Sequence, residues 1–153
     1  MAQSHHDELI FPEERIFHEP SKVGDVPSAL DVGNLILTKH AEVKHWLVFS
    51  SNDEGVLGVV RALETSGRGF GAENVIGIGI GGSTCAAEFQ KPAPTGFFAT
   101  CLISPKRHGY ETAEYVYKWI KDGTEPPKHT LTQGILVTRE TFDQVRKEEG
   151  LAD

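Results

Sequence analysis

Five short apolar runs, each separated from the next by a stretch of helical periodicity, constrain this chain more than any other feature. Residues 15–19 (RIFHE), 45–50 (HWLVFS), 75–80 (VIGIGI), 96–103 (GFFATCLI) and 134–138 (GILVT) read as strands. Most of them lack the strict polar–apolar alternation of a half-solvated strand, which points to strands buried on both faces of a parallel sheet. Between the first two, Val26, Leu30, Gly33 and Leu37 draw one helical face, with Asp25 as the cap and Pro27 in the first turn. A second helix starts near Glu54, carries Val56, Leu57, Val60 and Leu63, and ends at Gly67 and Gly69. A short third helix follows a Ser83 cap and carries Cys85, Ala86 and Phe89. The spacing of Tyr110, Ala113, Tyr117 and Ile120 predicts a fourth over residues 106–122, stopped by Gly123, Pro126 and Pro127. Thr138 caps a last helix with Phe142 and Val145, ending at Gly150.

The repeated β-α order predicts an α/β fold in three layers, a parallel sheet with helices on both faces. Its connections are expected to be right-handed crossovers. Ligands of such sheets sit at the carboxyl ends of the strands, which selects the loops at residues 50–53 and 81–84. A chain of 153 residues suits one domain. With 15 basic against 22 acidic side chains the net charge is −7, so there is no basic face for nucleic acid. No run of about 18 apolar residues is present, so no membrane insertion is expected. The first eight residues, MAQSHHDE, lack the basic start and apolar core of a secretory signal, which predicts a cytoplasmic chain if it is expressed as written.

Several motifs offer chemistry. Gly77, Gly79 and Gly82 satisfy G-x-G-x-x-G, the dinucleotide fingerprint of a nucleotide-binding enzyme. Two of these glycines alternate with isoleucines inside the strand, however, where close packing of a helix is the simpler reason for them. The polar cluster Ser50, Ser51, Asn52 and Asp53 ends a strand; it suits a hydroxyl-rich ligand or simple helix capping. His5, His6 and Asp7 lie in a polar terminus. Cys85 and Cys101 read as small core residues, not as a disulfide or a zinc site. No nucleophile–base constellation is present, so the chain is read as no enzyme, with no cofactor and no metal.

Residues 40–69 (HAEVKHWLVFSSNDEGVLGVVRALETSGRG), 73–82 (ENVIGIGIGG), 99–130 (ATCLISPKRHGYETAEYVYKWIKDGTEPPKHT) and 134–151 (GILVTRETFDQVRKEEGL) carry a resemblance. Together they resemble the C-terminal half of the bacterial L-arabinose-binding proteins, periplasmic sugar-binding components of ABC importers within the periplasmic binding protein and LacI-like group. That resemblance implies two α/β lobes enclosing a sugar by hinge closure. It divides the chain into a polar arm at residues 1–10, a C-terminal sugar-binding-type lobe at 11–103 and 134–153, and a crossover at 104–133 whose helix belongs to the other lobe.

The resemblance also implies a flavodoxin-like strand order, 2-1-3-4-5, in which residues 15–19 are strand 2 and the central strand 1 is missing. The lobe is then incomplete, and the 106–122 helix exposes Tyr110, Tyr117 and Ile120. The chain is therefore expected to exchange elements with a second copy, to pair with an N-terminal lobe in trans, or to join residues 15–19 directly to 46–50. Asn52 matches a residue that hydrogen-bonds sugar hydroxyls, and Ser51 is a positional candidate beside it. Gly81 and Thr84 stand where the arabinose proteins place an amide and a carboxylate. The function implied is non-catalytic binding of an L-arabinose-like pentose in the periplasm, with an ABC permease as a further partner. The alternative is a degenerate module acting in assembly or regulation without sugar.

Overall fold

The computed structural model describes residues 12–131 and 133–151; the polar arm with His5, His6 and Asp7 lies outside the described residues. A 3-10 turn at Glu13–Arg15 leads to α1 (Val26–Lys39), β1 (Trp46–Phe49), α2 (Asp53–Thr65), β2 (Val75–Gly81) and α3 (Ala86–Phe89). These are followed by β3 (Phe97–Leu102), α4 (Pro105–Asp122), β4 (Ile135–Thr138) and α5 (Phe142–Glu148). The expected α/β architecture is present, with a four-stranded sheet in the order β1-β2-β3-β4.

Local chemistry sets the helix boundaries. Asp25 accepts from Ser28 N–H at 2.9 Å and opens α1, with Pro27 in its first turn. Ala29, Gly33 and Leu37 bury against α2. Contact is close because the partners are small: a Cβ at Gly33 would meet Ala62, and one at Gly58 would lie 2.5 Å from that of Ala29. The core beneath holds Val56, Val60 and Leu63 from α2 with Trp46, Val75 and Phe97 from the sheet. Phe142 of α5 joins it through Phe89, at 5.1 Å between ring centroids. The caps expected at Ser83 and Thr138 fall instead at Cys85 and Thr141, with no side-chain cap bond at either.

Three findings differ from the expected sheet. First, residues 15–19 form no strand. Phe17 instead stacks on His40 at 3.8 Å and lies 6.0 Å from Trp46. A groove of about 1490 Å³ separates this segment from β1, so the direct join to residues 46–50 is not made. A strand needs a ladder partner, and none is within reach here. Trp46 lines this groove, and its indole Nε1 is buried without a hydrogen-bond partner among the described residues.

Second, β4 runs antiparallel to β3, pairing Leu102 with Ile135 and Ala99 with Thr138. The excursion through α4 leaves and re-enters at the same end of the sheet, which reverses the strand that follows. Ser104 caps α4, and none of its residues is buried, so Tyr110, Tyr117 and Ile120 are exposed as expected.

Third, the second helical layer is missing among the described residues. Leu47, Phe49, Ile76, Ile80 and Leu136 point away from α2 and remain exposed; Phe49 is 72% accessible. The strand order explains it. From β1 to β2 to β3 the chain steps in one direction, and right-handed crossovers stepping one way put every helix on one face. Helices on both faces require a reversal of strand order.

Candidate functional site

At the carboxyl end of β1 the chain runs through Ser50 and Ser51 to Asn52, the N-cap of α2. Asn52 Oδ1 accepts from Gly55 N–H at 2.9 Å and from the Ser50 hydroxyl at 3.4 Å, and Asn52 Nδ2 donates to Gly24 C=O at 2.8 Å. An amide has two N–H donors, so one is left on Asn52 after these bonds. Ser51 beside it is exposed.

At the carboxyl end of β2, Gly81 and Gly82 adopt φ of +130° and +91°. Only glycine holds the first of these readily. The turn brings Gly82 N–H onto the Asp53 carboxylate at 2.9 Å. The other Asp53 oxygen accepts from the Thr100 hydroxyl at 2.6 Å. Asp53 is 1% exposed, so a buried charge bonded on both oxygens ties α2, the β2 loop and β3 together. The thiol of Cys85 lies in the same region, and burial, reinforced by the Asp53 charge, pushes it up and away from reactivity.

Gly77 and Gly79 sit within β2, under α2. A Cβ on Gly79 would strike Asp53, and one on Gly77 would lie 2.7 Å from Val56. They make room for the helix and form no phosphate loop, which removes the dinucleotide reading.

The four sequence candidates therefore gather at one end of the sheet: Ser51 and Asn52 after β1, Gly81 and Thr84 after β2. Two neighbours escaped sequence reasoning, Thr100 and Glu54, and Asp53 was named there without its buried bridging role. Thr100 reads as a small residue in an apolar strand. Asp53 reads as one cap among several polar residues. Glu54 reads as an ordinary acid in a first helical turn; in space its Oε1 accepts from the Thr84 hydroxyl at 2.7 Å, bridging the two loops. No described helix is long and apolar enough to cross a membrane.

A family model described as periplasmic binding proteins and sugar binding domain of the LacI family matches residues 6–141. The L-arabinose-binding periplasmic protein of Escherichia coli (strain K12) is 45% identical over 142 residues, which are 92% of this chain and 43% of that protein. An ABC transporter L-arabinose-binding periplasmic protein of Azospirillum brasilense is 42% identical over 142 residues, again 92% of this chain and 42% of that one. The chain thus spans under half the length of these curated relatives. Among solved structures, an ABC transporter solute binding protein from Agrobacterium vitis with bound D-fucose superposes with a TM-score of 0.68 at 21% identity, over 88% of this chain and 43% of that one. This last likeness bears on the fold alone.

Proposed function

The chain belongs to the family of periplasmic binding proteins and sugar-binding domains of the LacI type, and on that premise we propose that it forms one wall of a monosaccharide cleft. The ligand is L-arabinose or a close pentose, and the protein it serves is the periplasmic solute-binding component of an ABC importer, acting with its permease and without catalysis. One observation carries the reading. Two loops that are far apart in sequence, at Asn52 and at residues 81–84, are locked side by side through Asp53 in a chain 45% identical to an L-arabinose-binding protein. Ser51, Asn52 and Thr84 are the proposed sugar-side residues; Gly81 contributes only backbone.

The lobe comprises residues 11–103 and 134–153, and residues 104–133 pass to the opposite lobe; the fully unburied α4 supports this division. The remainder of the two-lobed protein, within the same polypeptide or in trans, covers the groove beside β1 and the bare sheet face. Two relatives named for L-arabinose binding speak against the alternative of a module without sugar.

The test is ligand-dependent stability. A ligand that binds only the native state stabilises it by mass action, by about 2.7 kcal/mol at a hundred times Kd, and so raises the melting temperature. L-arabinose is expected to raise Tm and to move the backbone amides of residues 51–54 and 81–84. No amide movement and no change in Tm at high millimolar L-arabinose refutes the reading.

A further inference from the structure

We propose that Glu54 is a sugar-contacting residue that sets the ligand class of this site to neutral polyols; the inference rests on the sugar-binding reading above. Glu54 lies in the first turn of α2, directly after the Asn52 cap. Its carboxylate reaches across to the β2 loop, where Oε1 takes the Thr84 hydroxyl proton. Glu54 makes no ion pair with any described residue, and Oε2 accepts no hydrogen bond from one. A half-buried carboxylate with one oxygen bonded to no described residue, at the sheet end beside Asn52 and Thr84, can accept from something outside the chain.

The donor and acceptor inventory narrows that partner. Thr84 has committed its only proton to Glu54, so its oxygen offers lone pairs alone. Asn52 retains one N–H after its bonds to Gly24, Gly55 and Ser50. The rim therefore presents two side-chain donors, the Asn52 amide and the Ser51 hydroxyl, and several acceptors, one of them charged. Vicinal hydroxyls satisfy this set: each can donate to the carboxylate or to Thr84 while accepting from the amide. A carboxylate or phosphate on the ligand cannot, because it brings no proton and meets Glu54 with like charge. Glu54 Oε1 lies 2.7 Å from the Thr84 oxygen, so a carboxylate introduced at position 84 would occupy nearly the same place.

The experiment is a titration of the full chain with L-arabinose, read on the amide resonances of Gly82 and Thr84, for the parent and three variants. Glu54→Gln keeps the shape and removes the charge; affinity is expected to fall about tenfold, the ratio between a charged and a neutral hydrogen bond. Glu54→Gln combined with Thr84→Asp returns a carboxylate to the same spot and is expected to recover most of that loss, which a merely structural role for Glu54 would not allow. Glu54→Gln is also expected to relax the exclusion of a sugar acid such as D-galacturonate. Melting curves check that each variant stays folded. A parent that binds L-arabinose with a Glu54→Gln variant that binds it equally well overturns the role of Glu54 alone. A combined variant no better than Glu54→Gln overturns it too. A parent that shows no shift overturns the sugar-binding reading itself.

Discussion

Asp53 is the place where the site and the stability of the lobe meet. In the folded chain its two oxygens take the Gly82 N–H at 2.9 Å and the Thr100 hydroxyl at 2.6 Å, with 1% of the residue exposed. Asp53→Ala leaves both donors buried and unpaired, at about 1–3 kcal/mol each, and adds a small cavity; the expected loss is about 3–5 kcal/mol. Asp53→Asn behaves differently. Its oxygen can still accept from Gly82, and its NH2 can donate to a Thr100 hydroxyl that has turned around. Only the charge assistance is lost, and relief from burying a charge offsets part of that, so about 1–3 kcal/mol is expected. In urea, with m of about 2 kcal/mol/M, these values move the midpoint by about 2 M for Ala and about 1 M for Asn, at unchanged m. A cycle of Asp53→Asn with Thr100→Val should report a coupling of at least about 0.5 kcal/mol. The reasoning fails if Ala and Asn destabilise equally, or if both stay within about 0.5 kcal/mol of the parent.

Further outcomes follow from other positions. Gly58→Ala should destabilise by about 1–3 kcal/mol in thermal or urea unfolding, although alanine is the better helix former by about 1 kcal/mol, because the new methyl strikes Ala29 across the α1–α2 contact. Gly81→Asn, which puts a side chain on a residue at φ +130°, should cost about 1–3 kcal/mol unless the loop rearranges, and the Gly82 amide resonance reports which occurs. The Cys85 thiol is raised above its ordinary value near 9, so the native state favours the protonated form. That contribution is complete below about pH 9 and is lost as pH rises, by about 1.4 kcal/mol per unit while only the unfolded chain ionises; the stability gap between the parent and Cys85→Ala should therefore shrink from pH 9 to pH 10. Phe49→Ser, at a position 72% exposed, should change stability by less than about 0.5 kcal/mol while lowering binding of a hydrophobic dye.

The strands and helices that close on themselves locally were legible in the sequence. Trp46–Phe49 and Phe97–Leu102 lie within the apolar runs that announced them, Val75–Gly81 extends its run by one residue, and Asp25 caps as its position predicts. What escaped depends on relations between distant segments. Residues 15–19 have strand composition, but composition cannot supply a ladder partner. The reversal of β4 follows from where α4 returns, and the bare sheet face follows from the direction in which the strands step; neither is written in periodicity. At the candidate site, the helix-capping role of Asn52 was legible because an amide after a strand suits an N-cap. Glu54 and Thr100 were not, because their partners lie 30 and 47 positions away in sequence.

The excursion through α4 also has a mechanical consequence. Its outgoing limb is fastened where Ile103 N–H bonds Gly81 C=O at 3.2 Å, and its returning limb passes so close to Cys101 that a Cβ at Gly134 would strike the Cys101 sulfur. Both limbs are therefore tied to β3 and its neighbour at the same end of the sheet, one by a backbone hydrogen bond and one by close packing. The Gly81–Gly82 peptide that accepts from Ile103 also donates its N–H to Asp53. A displacement of the 81–84 loop is therefore passed directly to the strand end from which α4 departs.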